Sequence, residues 1–124
     1  MSDGSDPNAA GRGEHPKGDS NVTIVEILIP LTSNEGAAFE ADHHVAFEAH
    51  LITIFGGYSL LPGTVRGGWM DAGVVFTDET RVYAVALVSL LADGGKVIHI
   101  VEIAKAHYGQ LAIFVRYLGM AEIL

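Results

Sequence analysis

Two stretches, Val22–Leu31 and Arg81–Leu90, are apolar on both of the faces that a β-strand presents. In the first, Val22, Ile24, Glu26 and Leu28 alternate with Thr23, Val25, Ile27 and Ile29. In the second, Val82, Ala84, Ala86 and Val88 alternate with Tyr83, Val85 and Leu87. Successive side chains point to opposite sides of a strand, so such segments belong at the centre of a sheet covered above and below. A chain of 124 residues meets that demand with difficulty. A domain this small buries only about two-thirds of the surface its unfolded chain exposes. Hydrophobic residues make up 49% of the chain and its mean hydropathy is +0.33. No apolar run approaches the ~20 residues of a membrane span, so no membrane partner is expected. The surplus points to burial between copies of the chain, and a homo-oligomer is the expected assembly.

The segments between these strands set the topology. Thr32-Ser33-Asn34-Glu35 has the form of a capping box, which predicts a helix from Glu35 to Phe55, closed by Gly56. Ala38, Ala41, Val45, Ala49 and Ile52 form its expected core stripe, while Phe47, Leu51 and Phe55 widen the apolar arc. A second strand is expected from Tyr58 to about Met70, interrupted at Pro62-Gly63 and Gly67-Gly68. Asp71-Ala72-Gly73 then reads as a turn, Val74–Phe76 as a brief pairing segment and Thr77–Thr80 as exposed and polar. Asp93 caps a predicted second helix over Gly94–Tyr108, with Val97, Val101, Ala104 and Tyr108 inward. Leu111–Leu118 is the expected last strand, followed by an apolar tail to Leu124.

Residues 1–20 are rich in Gly, Ser, Asp, Asn and Pro and lack apolar periodicity, which predicts a disordered tail with a solvated His15. Residues 21–124 form the expected domain. Its order is βαββαβ. Crossover rules fold that order into an α+β, ferredoxin-like domain: a four-stranded antiparallel sheet, order 4-1-3-2, with two helices on one face. The other face stays apolar and uncovered, and a second copy is the simplest cover.

Composition excludes several functions. A net charge of −8 opposes nucleic-acid binding, which depends on Lys and Arg releasing counterions. Without cysteine there is no disulfide, thiolate metal site or cysteine nucleophile. The start, Met1–Pro7, lacks the basic and apolar regions of a signal peptide, so a cytoplasmic location is the default expectation. No cofactor motif stands out: Asp93-Gly94-Gly95 reads as a plain helix cap. Glu40, His44 and Glu48 recur at a spacing that could share a metal, but the HExxH pattern is missing and a solvated polar stripe accounts for them. No metal is expected.

Two groups of residues could carry function. Glu26 is a carboxylate inside an apolar strand, costly unless paired. It is either a general base or ligand-ammonium binder, or the structural partner of Arg116 on the last strand. Tyr58, Arg66, Trp69 and Asp71 gather in a Gly-rich stretch. An aromatic platform beside Arg and Asp suits a purine, although a hairpin whose Trp packs on another subunit uses the same residues. Glu26 and Tyr58 are the candidate catalytic residues; Arg66, Trp69, Asp71 and Arg116 are the candidate ligand-binding ones.

The βαββαβ order over Val22–Leu118, with its elaborated second-to-third strand connection, resembles the PII-like group of small trimeric proteins. The string Phe55-Gly56-Gly57-Tyr58-Ser59, with Gly68-Trp69, Gly73 and Asp78 beyond it, is similar to two narrower sets. One is a family of small bacterial proteins with a Gly-aromatic-Thr/Ser…Gly…Trp…Gly pattern; the other is the compact phage-type S-adenosylmethionine lyases, whose ligand sites lie between subunits. The resemblance implies a PII-like binding module for a small, nucleotide-like ligand at an inter-subunit cleft, or a lyase acting on S-adenosylmethionine on the same trimeric scaffold.

Overall fold

The computed structural model describes residues 21–122; the expected tail and His15 lie outside them. Seven elements follow in order: β1 (Asn21–Pro30), α1 (Ala41–Phe55), β2 (Ser59–Leu60), β3 (Val65–Asp71), β4 (Val74–Leu87), α2 (Leu90–Tyr108) and β5 (Phe114–Glu122). The α+β class and the ferredoxin-like frame are those expected from the sequence. Central β1 pairs antiparallel with β4 on one side and β5 on the other.

The sheet has five strands, not four. The expected second strand is two, β2 and β3, each pairing with β4 on the side away from β1. Its order is therefore β2-β4-β1-β5 with β3 also on β4, which modifies the simple 4-1-3-2 scheme. Pro62 has no N–H for the ladder and Gly63 turns at φ 74, so the chain leaves the sheet between the two pieces. β4 is correspondingly longer than expected. It absorbs Val74–Phe76 and the polar Thr77–Thr80, because β3 supplies a partner for every residue from Val74 to Thr80.

Ala72 and Gly73 form the two-residue turn between β3 and β4, at φ 52 and 80. Positive φ at both positions is the type I′ hairpin turn, whose twist suits the flanking strands. A β-carbon at Ala72 is disfavoured there, whereas Asn tolerates the left-handed region. Ala72→Asn is expected to stabilise the fold by about 0.5–1 kcal/mol, read as a raised midpoint in urea.

Helix α1 departs from expectation twice. It starts at Ala41, with Glu40 as an N-cap that makes no side-chain hydrogen bond. Upstream, Gly36 sits at φ 90, the Ser33 hydroxyl accepts from Ala37 N–H, and Phe39 N–H donates to the Leu31 carbonyl. These local bonds fold Thr32–Phe39 into a loop that replaces the expected first turns. The helix also turns a different face inward. His44, Phe47 and Leu51 are buried, while Val45 and Ile52 of the expected core stripe are 58% and 54% exposed. Phe and Leu remove more apolar area from water than the Ala-rich stripe does, and the polar atoms on their side find partners.

Helix α2 begins at Leu90, capped by Ser89, whose hydroxyl accepts from Ala92 N–H. Asp93 is not the N-cap but its reciprocal partner, accepting from the N–H groups of Val88 and Ser89. Strand β5 starts three residues later than expected and continues to Glu122, so most of the supposed tail is strand. A single core fills the space between the helices and one sheet face: Val25, Ile27 and Ile29, Tyr83, Val85 and Leu87 meet Phe47, Leu51, Val97, Ile100, Ala104 and Tyr108.

Candidate functional site

Directly paired residues on neighbouring strands project to the same side of a sheet. Glu26 pairs with Ala84 and Arg116, and Leu28 with Val82 and Phe114; these alternate with the core-facing Val25, Ile27 and Tyr83. Trp69 pairs with Phe76 and Asp71 with Val74, in phase with Val82 and Ala84 along β4. Glu26, Arg116, Trp69 and Asp71 therefore share the face that, among the described residues, carries no helix. Arg66 does not. It pairs with Glu79 and points to the helix side of the sheet, where Tyr58 also lies. The expected cluster of Tyr58, Arg66, Trp69 and Asp71 is thus divided by the pleat.

The Glu26–Arg116 pair forms. Arg116 Nε donates to Glu26 Oε1 at 3.0 Å, and an Arg116 terminal nitrogen reaches the same oxygen. Glu26 is buried, while the Arg116 side chain is 43% exposed. Among the described residues both bonds end on Oε1 and none on Oε2. On the hairpin, the Trp69 ring stacks on Phe76, centroids 4.8 Å apart and 22° from parallel, with 54% of Trp69 open to solvent. Arg66 Nε stands 4.0 Å from Glu79; both side chains are exposed, and such pairs contribute little.

A second cluster, on the helix side, centres on a residue that sequence reasoning placed on a solvated stripe. Glu48 Oε1 accepts from the Tyr58 hydroxyl at 3.0 Å, and Oε2 from the Tyr83 hydroxyl at 2.7 Å. Arg81 completes the set, 3.5 Å from Glu48 and donating to the Tyr83 oxygen at 3.1 Å. Burial, with the Glu48 hydrogen bond, pushes the Tyr83 phenol well above its ordinary value, so it stays a donor. Two phenols and a guanidinium fill three of the roughly four acceptor positions of this carboxylate. The carboxylate braces α1 to β4 and the entry to β2.

Four positions on, towards the helix start, His44 is also buried, and Tyr108 lies 2.8 Å from its Nδ1. Burial keeps the Tyr108 phenol protonated far above neutrality, and the His44 tautomer sets which of the two groups donates. His43 and His107 stack beside this pair, centroids 3.9 Å apart. Sequence reasoning missed Glu48, Arg81, Tyr83 and these imidazoles as a set. The available signal was spacing: His44, Phe47, Glu48 and Leu51 recur at three and four residues and share one face. Among the described residues, no group of three or more His, Cys, Asp or Glu side chains could hold a metal ion. Among those same residues, no helix is long and apolar enough to cross a membrane.

No protein-family model matches the chain, and no curated protein matches it in sequence. Solved structures match its fold. A divalent cation tolerance protein, Cut A1, from Thermus thermophilus aligns with a TM-score of 0.57 at 15% identity, covering 83% of this chain and 87% of that one. A phage SAM lyase in complex with S-methyl-5'-thioadenosine aligns at 0.60 and 14% identity, over 82% of this chain and 88% of that one. The periplasmic divalent cation tolerance protein CutA from Archaeoglobus fulgidus gives 0.56 and 8%, over 83% and 87%. At these identities the fold is what is shared.

Proposed function

We propose that the chain is a homo-oligomeric, PII-like binding module, a trimer that holds a small nucleotide-like molecule in the cleft between subunits. The observation that carries this reading is the helix-free sheet face. It presents a stacked, half-open Trp69–Phe76 pair with Asp71 beside it, and a buried Glu26 whose Oε2 accepts from none of the described residues. Aromatic faces stack on a base, and carboxylates accept from its amines or from a ribose hydroxyl. Arg116 supplies the cation on the same face. Arg66, on the reverse of the hairpin, serves the cleft formed with the other neighbour. Cytoplasmic localisation belongs to the same proposal.

A second reading, a lyase acting on S-adenosylmethionine, is favoured by one observation: the fold is shared with a phage SAM lyase over 82% of this chain. In that reaction the substrate's own carboxylate oxygen bonds to its γ-carbon as the carbon–sulfur bond breaks. The electron pair stays on sulfur, giving methylthioadenosine and homoserine lactone, and no proton moves. Protein groups then need only orient the substrate. Glu26 Oε2 would hold its ammonium, whereas Tyr58, on the helix side with its hydroxyl donated to Glu48, could reach that substrate only from another subunit.

Thermal-shift measurements with adenine nucleotides and methylthioadenosine, run beside chromatography of an S-adenosylmethionine incubation, test both. Stabilisation with quenched Trp69 fluorescence and no turnover is the result expected. Appearance of methylthioadenosine and homoserine lactone moves the assignment to the lyase. If no ligand shifts the midpoint or the fluorescence and no product forms, both readings fall.

A further inference from the structure

We propose that each ligand site is completed in trans: the Trp69–Phe76 pair of one copy closes over the Ser59–Ala84–Glu26 row of the next, which adds Ser59 to the binding residues. The inference rests on the binding-module reading above. Within one chain the two halves are too far apart. Phe76 and Ala84 both belong to β4, and the rise of a strand sets them about 26 Å from one another. A nucleoside does not span that distance. Stacking on Trp69 and a hydrogen bond to Glu26 therefore come from different copies.

The row is built by register. Ser59 of β2 and Glu26 of β1 both pair with Ala84, so the three side chains project to one side of the sheet. Two strand spacings, about 10 Å, separate the backbones of Ser59 and Glu26, and only the Ala84 methyl group stands between them. Glu26 is 7% exposed, and its Oε2 accepts from none of the described residues. Ser59 is open to solvent. A carboxylate oxygen and a hydroxyl facing each other over a methyl floor suit a ribose diol. One ligand hydroxyl donates to Oε2 and the other exchanges a hydrogen bond with Ser59.

The hairpin needs the cover that such a contact supplies. From Val74 to Glu79, among the described residues, β4 pairs with β3 alone, so the two strands leave the body of the sheet as a ribbon. Two strands by themselves are marginal in water. This ribbon is also apolar on both sides, with Trp69, Val74 and Phe76 exposed on one and Met70 and Val75 on the other. Each copy carries one uncovered ribbon and one uncovered row, so a head-to-tail contact uses both and closes a ring. Charge agrees. Asp71, on the Trp69 side of the ribbon, comes to the half-exposed Arg116 of the next copy.

Mixed oligomers of two variants test this. Trp69→Leu keeps an apolar side chain but removes the stacking face, and Ser59→Phe fills the gap over Ala84 from an exposed position. In equilibrium dialysis each variant alone should bind tritiated methylthioadenosine about tenfold more weakly than the native chain, or worse. Coexpressed with different affinity tags and purified through both, the two should bind it again with native affinity. Capacity should be about one third of native, because each mixed trimer holds one site with both halves intact. Should Ser59→Phe not fold, Glu26→Gln takes its place in the mixture. No recovery overturns completion in trans, since a site within one chain is never whole in such a mixture. Native binding by Ser59→Phe alone removes the row from the site and overturns it too. If the native chain binds no methylthioadenosine, adenosine or AMP, the binding-module reading falls and takes this inference with it.

Discussion

Replacing Glu48 with alanine is expected to cost the fold about 3–4 kcal/mol, near the range for breaking a buried ion pair by removing one partner. Three donors lose their acceptor at once: the hydroxyls of Tyr58 and Tyr83 and the Arg81 guanidinium. Among the described residues the buried Arg81 Nε already lacks a hydrogen-bond partner. Truncation would leave that cation facing Tyr83 alone. Glu48→Gln keeps one acceptor oxygen but removes the charge, and should cost roughly half as much. Tyr83→Phe should cost about 2 kcal/mol, because its hydroxyl bonds two charged partners, donating to Glu48 and accepting from Arg81. Urea unfolding at pH 7 orders the three. An alanine variant within 1 kcal/mol of the native protein would mean that Glu48 is solvated and braces nothing.

The second large effect is expected at Glu26. Removing only Glu26 or only Arg116 leaves the other charge without its partner. Arg116 is 43% exposed, so water takes up part of that loss, and Glu26→Ala should cost about 2 kcal/mol rather than the 3–5 of a fully buried pair. Glu26→Leu combined with Arg116→Leu should cost less than the two single changes added together, because no charge is stranded. Ligand affinity makes the cycle informative about function. Strong coupling in stability with nucleotide binding retained makes the pair a strut of the sheet. Weak coupling with lost binding assigns Glu26 Oε2 to the ligand.

Much of the fold was legible in the sequence because strands advertise themselves by alternation. The double-faced apolar character of β1 and β4 predicts their central positions, and that is where they lie, paired along Thr23–Pro30 and Thr80–Leu87. The Glu26–Arg116 pairing was legible for the same reason, since antiparallel neighbours meet in register. What failed was local. Thr32 and Glu35 fit a capping box, but the pattern does not say whether Gly36 will take φ 90 and turn the chain into a loop. The buried face of α1 was misread because Glu and His were scored as solvent-seeking. Their partners, Arg81, Tyr83 and Tyr108, lie 33, 35 and 64 residues away in sequence, so no local window contains them. The division of Tyr58, Arg66, Trp69 and Asp71 between two faces follows from a pleat phase that a glycine-broken strand leaves open.

Exposed apolar side chains on the helix-free face and the hairpin frame the central claim. Phe114 and Leu118 are 63% and 54% exposed in the single chain, and Val74, Trp69 and Phe76 add to them. A patch of that kind on a 13.1 kDa protein is expected to be covered by further copies. Multi-angle light scattering at micromolar concentration tests this most directly. The account predicts one species with the mass of three chains, unchanged on dilution across a decade. A monodisperse species with the mass of a single chain would contradict it, and with it the cleft in which the ligand is proposed to sit.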